Sequence, residues 1–173
     1  PGPAAEAVAL VKSYPGERGA PPTPALAGLD LVAPRAAVTA LLGPSGAGKS
    51  TAVACLTGEV APSSGTARLG GVEPAAARDA GVSVGLCPQA DVAWPALTVR
   101  EHMALWAAIK GSPSLAAAAA EAASAAASVG LAPKLDARAS ELSGGQRRAL
   151  GTAAALVRAP DVAARRHRPR LRV

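Results

Sequence analysis

The chain has 173 residues, half of them apolar and only 17% charged, which excludes a disordered polyampholyte and suits one domain with a core of its own. Alanine makes up roughly a quarter of the chain, Phe is absent and aromatics reach 2%, so the core is expected to be thin for its length. The net charge of +6 is concentrated in Arg165, Arg166, Arg168, Arg170 and Arg172, without which the rest of the chain carries +1; no aromatics interleave with them, so specific nucleic-acid binding is not expected.

The first strand candidate is Ala7 to Lys12, followed by a Pro/Gly-rich turn from Pro15 to Pro24. Leu26 to Val32 and Ala36 to Leu42 read as the next two strands, separated by Pro34. The second of these runs into a glycine-rich loop and a helix over about Gly48 to Leu56. Ala67 to Leu69 and Val82 to Cys87 read as further short strands. From Thr98 the apolar period becomes helical, with Val99, Met103, Leu105, Trp106 and Ile109 on one face. Thr98 caps that helix, and Glu101 completes a capping box. Ser114 to Val129 is an alanine-rich helix with a poorly defined face, and a last helix runs from about Gly144 to Val157. Strands, a phosphate-type loop and then helices indicate an α/β fold with a helical block inserted after Cys87. No stretch of about 18 apolar residues is free of charge, Gly or Pro, so no segment reads as a membrane span. The chain opens with Pro1 rather than Met, as a fragment or processed piece of something longer would. Cys55 and Cys87 fit no disulfide framework or metal spacing and read as buried reduced thiols.

Gly43-Pro44-Ser45-Gly46-Ala47-Gly48-Lys49-Ser50 matches G-x-x-x-x-G-K-[ST] at every fixed position. The glycines let the backbone curl so that successive N–H groups point at phosphate oxygens. The loop feeds a helix N-terminus, whose open amides and dipole favour negative charge. Lys49 supplies a mobile ammonium to the outer phosphates, and Ser50, with Thr51 beside it, supplies hydroxyl oxygen to the phosphate-bound Mg²⁺. Nucleoside triphosphate binding follows, but kinases, GTPases, helicases and transporter motors share this loop.

Leu142-Ser143-Gly144-Gly145-Gln146 narrows the choice. Ser143 is a good helix cap, and the two glycines leave the next amides sterically open, so the chain holds a second anion-binding helix start. This segment resembles the LSGGQ signature of ABC transporter nucleotide-binding domains. The resemblance covers about residues 7 to 162, and VTALLGP with CPQADVAWPALTVREHMALWAAIKG looks most like the A subfamily, which moves lipids and sterols. It implies a P-loop NTPase (RecA-like) core, an N-terminal antiparallel β subdomain and an inserted α-helical signature subdomain. It also implies ATP and Mg²⁺ as cofactors and a head-to-tail dimer. There the loop of one copy and Ser143, Gly144, Gly145 and Gln146 of the other hold each nucleotide. Gln89, after the strand ending at Cys87, resembles the glutamine that reaches Mg²⁺ and the attacking water and senses the membrane domain. Tyr14 resembles the aromatic that stacks on adenine, though a tyrosine that merely ends its strand reads the same way. The expected partners are a second nucleotide-binding domain and a transmembrane domain, at the cytoplasmic face of a membrane. A soluble ATPase of the same type, and a remnant that binds nothing, stay open as alternatives.

Ser45 stands where the A subfamily usually has Asn, and Ala90 where it often has His. The larger departure follows Val162. Counted from Gln146, the Asp and catalytic Glu of the family fall near 166 and 167, where Arg166 and His167 stand; His167 lies too early to be the family's switch histidine. Residues 163–173 are therefore expected to be a basic tail foreign to the family, from truncation or a frame slip, with the C-terminal part of the fold missing and hydrolysis very slow. An arginine-rich segment is not expected to form the buried strand of a parallel sheet.

Overall fold

A computed structural model describes residues 2–16, 20–90 and 93–166. Its contacts divide the chain into two compact units, Pro1–Ser83 and Val84–Val173.

The first unit is built on three antiparallel strands, β1 (Ala5–Tyr14), β2 (Thr23–Ala33) and β3 (Ser64–Leu69), in the order β2-β1-β3. β1 is longer than its apolar run because it is the central strand and pairs on both sides, from Ala5↔Ala33 to Tyr14↔Thr23 with β2 and from Ala5↔Leu69 to Val11↔Ser64 with β3. Both ladders skip register near Ala9, which adopts φ 45°. There the Asp30 carboxylate replaces a ladder carbonyl, accepting the Ala9 N–H at 2.7 Å. Gly65, at φ 77°, lets β3 pass the bulge, since a Cβ on it would lie 2.1 Å from the Ala9 carbonyl oxygen. α1 (Lys49–Leu56) buries Ala52, Ala54, Cys55 and Leu56. With Leu10, Leu26 and Leu69 these form a small core.

The expected strand over Ala36–Leu42 is not formed. Residues 38–44 carry no regular structure, Val38 and Leu42 are 99% and 91% exposed, and residues 36–43 make no backbone–backbone hydrogen bond among the described residues. The apolar run of a strand is present, but a strand needs a ladder partner for its N–H and C=O groups, and none lies alongside among the described residues.

The second unit holds β4 (Val84–Cys87), α2 (Val99–Ile109), α3 (Leu115–Ser128), α4 (Gly144–Leu156) and β5 (Val162–Arg165). β4 and β5 pair in parallel, Val84↔Val162 through Cys87↔Arg165, and the Arg166 N–H continues the ladder to the Cys87 carbonyl at 3.0 Å. The arginine-bearing segment thus does form a parallel strand, although none of its residues is buried. The strand tolerates its arginine because burial alternates: Val162 and Ala164 are half-buried, while Ala163 and Arg165 are exposed. His167 and the arginines after it lie outside the described residues.

The three helices surround an alanine-rich core of Val99, Met103, Ala107, Ala118, Ala122, Ala126, Leu131, Leu150, Ala153 and Val157. The face expected for α2 is only half right, since Leu105 and Ile109 are exposed and His102 is buried in their place. Lys110 ties α2 to the end of α4: its Nζ donates to the carbonyls of Ala154, Ala155 and Val157 at 2.9, 2.9 and 3.2 Å. No described helix is long and apolar enough to cross a membrane.

Candidate functional site

The glycine loop sits in the first unit, between the irregular segment and α1. Gly46 and Gly48 adopt φ 84° and 80°, the left-handed region in which a side chain is strained. Gly48 is also the N-cap of α1 and packs so tightly under β2 that a Cβ would lie 2.3 Å from the Ala25 carbonyl oxygen. Above Gly46 nothing lies within 4 Å of such an atom. The loop is thus closed underneath and open on its outer side. No side chain caps α1 and no acidic residue sits in its first turn, so its first amides and its dipole face an uncompensated space.

Lys49 starts α1 and folds back over the loop, its Nζ donating to the carbonyls of Gly43 at 2.8 Å and Pro44 at 2.6 Å. These two bonds fix the curl of the loop and place an ammonium at its mouth. Gly43, Ser45 and Ser50 are exposed, and Thr51 is half-buried. Tyr14 ends β1 at 37% exposure, with the Lys12 ammonium 5.3 Å from its ring centroid, a cation–π contact that engages one face of the ring.

Gln89 and the signature belong to the second unit. Gln89 is exposed two residues beyond β4, where it lines a small cavity with Cys87, Trp106, Arg148, Gly151 and Arg166. The signature is the N-terminus of α4. The Ser143 hydroxyl accepts the Gln146 N–H at 3.2 Å, and the Gln146 side-chain oxygen accepts the Ser143 N–H at 2.9 Å, a complete capping box. Ser143, Gly144 and Gly145 are all exposed, and a Cβ on Gly144 would meet nothing within 4 Å. Gly85 brings α4 against β4, since a Cβ there would lie 2.1 Å from the Ala155 carbonyl oxygen.

The structure therefore groups the predicted residues in two sets, with Tyr14, the loop, Ser50 and Thr51 in one unit and Gln89 and the signature in the other. Each helix start has open amides, an end that favours an anion. Sequence reasoning missed His102. It is 1% exposed and lines the same cavity as Gln89, and the only signal for it was a polar residue on the buried face of a helix.

For the groups the motifs imply, the residues fit. A triphosphate needs an open amide cradle and a cation, which the loop and Lys49 provide. Mg²⁺ takes hard oxygen ligands and keeps several of its own waters, so one neutral hydroxyl such as that of Ser50, beside the phosphate oxygens, is a suitable protein donor.

A protein-family model described as ABC transporter matches residues 26–164. The chain is 42% identical over 121 residues to "ABC transporter A family member 4" of Dictyostelium discoideum, a match covering 69% of this chain and 8% of that protein. It is 42% identical over 154 residues to "ATP-binding cassette sub-family A member 7" of Mus musculus, covering 88% of this chain and 7% of that one. The chain thus spans less than a tenth of the length of these two relatives. Among solved structures it is similar to cbiO1 from Clostridium perfringens, described as part of the ABC transporter complex cbiONQ, with a TM-score of 0.79 and 23% identity over 95% of this chain and 65% of that one. At that identity the likeness shows the fold.

Proposed function

Because this chain belongs to the ABC transporter family, we propose that it is the ATP-binding part of a longer A-subfamily transporter, in which ATP binding and hydrolysis move a lipid-like substrate across a membrane. The observation that carries this reading is the pair of glycine-opened helix starts, at Gly48 and at Ser143, in one chain. A single nucleotide bound by a single copy needs only one of them.

In this reading the loop amides of Gly43, Ser45, Gly46 and Gly48 hold the phosphates, and Lys49 exchanges its two carbonyls for the outer phosphate oxygens. Ser50 would hold Mg²⁺, which when bound neutralises phosphate charge, and Thr51 supports the phosphates beside it. Tyr14 offers its free ring face to adenine. Ser143, Gly144, Gly145 and Gln146 grip the nucleotide of a second copy arranged head-to-tail; the Ser143 hydroxyl accepts within its own cap and keeps its proton to donate. Gln89 orients water and Mg²⁺ and reports to the membrane-embedded part, which places the chain at the cytoplasmic face of a membrane.

Hydrolysis by this chain is slow. β5 ends at Arg165, and Arg166 and His167 stand where the resemblance calls for the Asp and the catalytic Glu; loss of a positioned base alone costs roughly 10²–10⁴-fold. A remnant that binds ATP without turning it over is the second reading, and the absence of a carboxylate at 166 and 167 favours it.

Equilibrium dialysis with labelled ATP tests the assignment. Lys49→Ala removes a charge-assisted contact of about 1.5–3 kcal/mol, so affinity should fall about 10- to 150-fold. Absence of binding by the unaltered chain overturns it.

A further inference from the structure

The imidazole of His102, on the buried face of α2, holds both ends of the connector 94–98 that leads into that helix. His102 Nε2 lies 2.7 Å from the Trp94 backbone nitrogen, and Nδ1 lies 3.0 Å from the Thr98 carbonyl oxygen. A backbone N–H only donates and a carbonyl only accepts, so one form of the ring satisfies both: neutral, with its proton on Nδ1 and a lone pair on Nε2. The ring also stacks on Trp94, centroids 5.5 Å apart at 30°, and Trp94 leans on Trp106 at 6.1 Å.

The clamped connector reaches further. Leu97 and Pro95 carbonyls accept the N–H groups of Ala139 and Ser140, and the N–H groups of Val99 and Arg100 bond to Ala137 and Leu135. Residues 135–140 lead directly into Leu142 and the signature cap at Ser143. His102 therefore fastens Trp94 and Thr98 at the two ends of a segment whose own backbone bonds hold the chain that enters the signature.

We propose that neutral His102 is a positioning residue that sets the Gln89 loop through the Trp94 N–H, and that protonation of Nε2 releases the connector. A protonated ring has two donors and no acceptor, so the Trp94 amide loses its buried partner while the Thr98 bond survives. Among the described residues, the charged and titratable groups around the ring are Glu101 on its own helix, Arg147 and Arg148 on α4, Cys87 on β4, and Arg165 and Arg166 at the end of β5. What the Gln89 loop does once set rests on the reading above, but the release itself does not.

The chain's two tryptophans, Trp94 and Trp106, both stand in this cluster, so intrinsic fluorescence reports on it directly. Emission of the 173-residue chain without nucleotide should change when the solution is acidified enough to protonate the ring, because the protonated ring cannot accept from the Trp94 N–H. His102→Gln keeps an acceptor oxygen that does not titrate and should hold the neutral-pH emission throughout. His102→Phe keeps the ring without the acceptor and should show the released emission at every pH. At pH 7.5, hydrogen exchange at Trp94, Gln89 and Ala90 should be at least about tenfold faster in His102→Phe than in the unaltered chain, the factor that about 1.4 kcal/mol of lost amide protection gives. A step that persists in His102→Gln, or Trp94 and Gln89 exchange that is unchanged in His102→Phe, overturns the proposal. If His102→Phe does not fold, the His102→Gln titration decides alone. Failure of ATP to bind would leave these readouts intact, so the two ideas fall separately.

Discussion

A methyl group on Gly48 would come within 2.3 Å of the Ala25 carbonyl oxygen, so the phosphate loop is braced from below by β2 as well as shaped by its own φ angles. Gly46, two residues earlier, has the same left-handed backbone, and a methyl group there would meet nothing beyond its chain neighbours within 4 Å. The pair separates two reasons for glycine that the motif alone conflates.

Gly48→Ala should cost both terms: about 1–2 kcal/mol for the left-handed backbone and a further 1–3 kcal/mol for the overlap. Gly46→Ala should cost only the first. Urea unfolding of both variants checks this, and equal losses would mean that β2 does not brace the loop.

Glu101 makes helix α2 acid-sensitive. The Thr98 backbone N–H and hydroxyl both donate to its carboxylate, at 2.7 and 2.9 Å, and hold it below its ordinary 4.5. Because the folded value is the lower one, this stabilisation is fully present above about pH 4.5 and is lost as pH falls through the folded value. Glu101→Gln should flatten that part of the stability–pH curve. Thermal melts at intervals from pH 6 to pH 3 would show it, and parallel curves for the two proteins would count against the capping box as the source.

These caps are also what the sequence announces most clearly. Thr98 with Glu101 and the cap at Ser143 are local, set by residues three apart, and form as read, with Gln146 closing a box at Ser143 that the reading did not name. Strands are different, because a strand is a property of two segments. Residues 36–42 are an apolar run yet have no ladder among the described residues, whereas Val162–Arg165, passed over for its arginine, finds β4 and becomes one. The glycine loop and the signature were legible because each needs particular residues at fixed spacing. His102 was not, because its partners are the backbone atoms of Trp94 and Thr98, and backbone atoms leave no mark in a sequence.

Lys110 closes the end of α4, where the last carbonyls have no helical partners. Replacing it by Met keeps the apolar stem and removes the donor to Ala154, Ala155 and Val157, which should cost about 1–3 kcal/mol. Burial pushes its ammonium down from the ordinary 10.5. The unfolded chain therefore binds the extra proton between the folded value and 10.5, and stability should rise with pH across that window. Denaturant midpoints between pH 8 and pH 10.5 should climb in the unaltered chain and not in Lys110→Met, which has no proton to lose.

The last expectation concerns the chain as a whole. Val38 and Leu42 are almost wholly exposed, residues 36–43 make no backbone ladder among the described residues, and the core of the second unit is largely alanine. A buried alanine contributes one methyl where a leucine would contribute four carbons, so each position stabilises the fold by less while the backbone entropy to be overcome is the same. The 173-residue chain should therefore unfold broadly and below about 55 °C, the middle of the range for ordinary domains. Differential scanning calorimetry measures this directly. Val38→Thr and Leu42→Thr should leave the transition where it is, since neither side chain is buried, whereas Leu10→Ala in the packed face of β1 should lower it sharply. A single cooperative transition well above 55 °C, or one that drops when Val38 is made polar, would mean that the exposed segment is covered in solution.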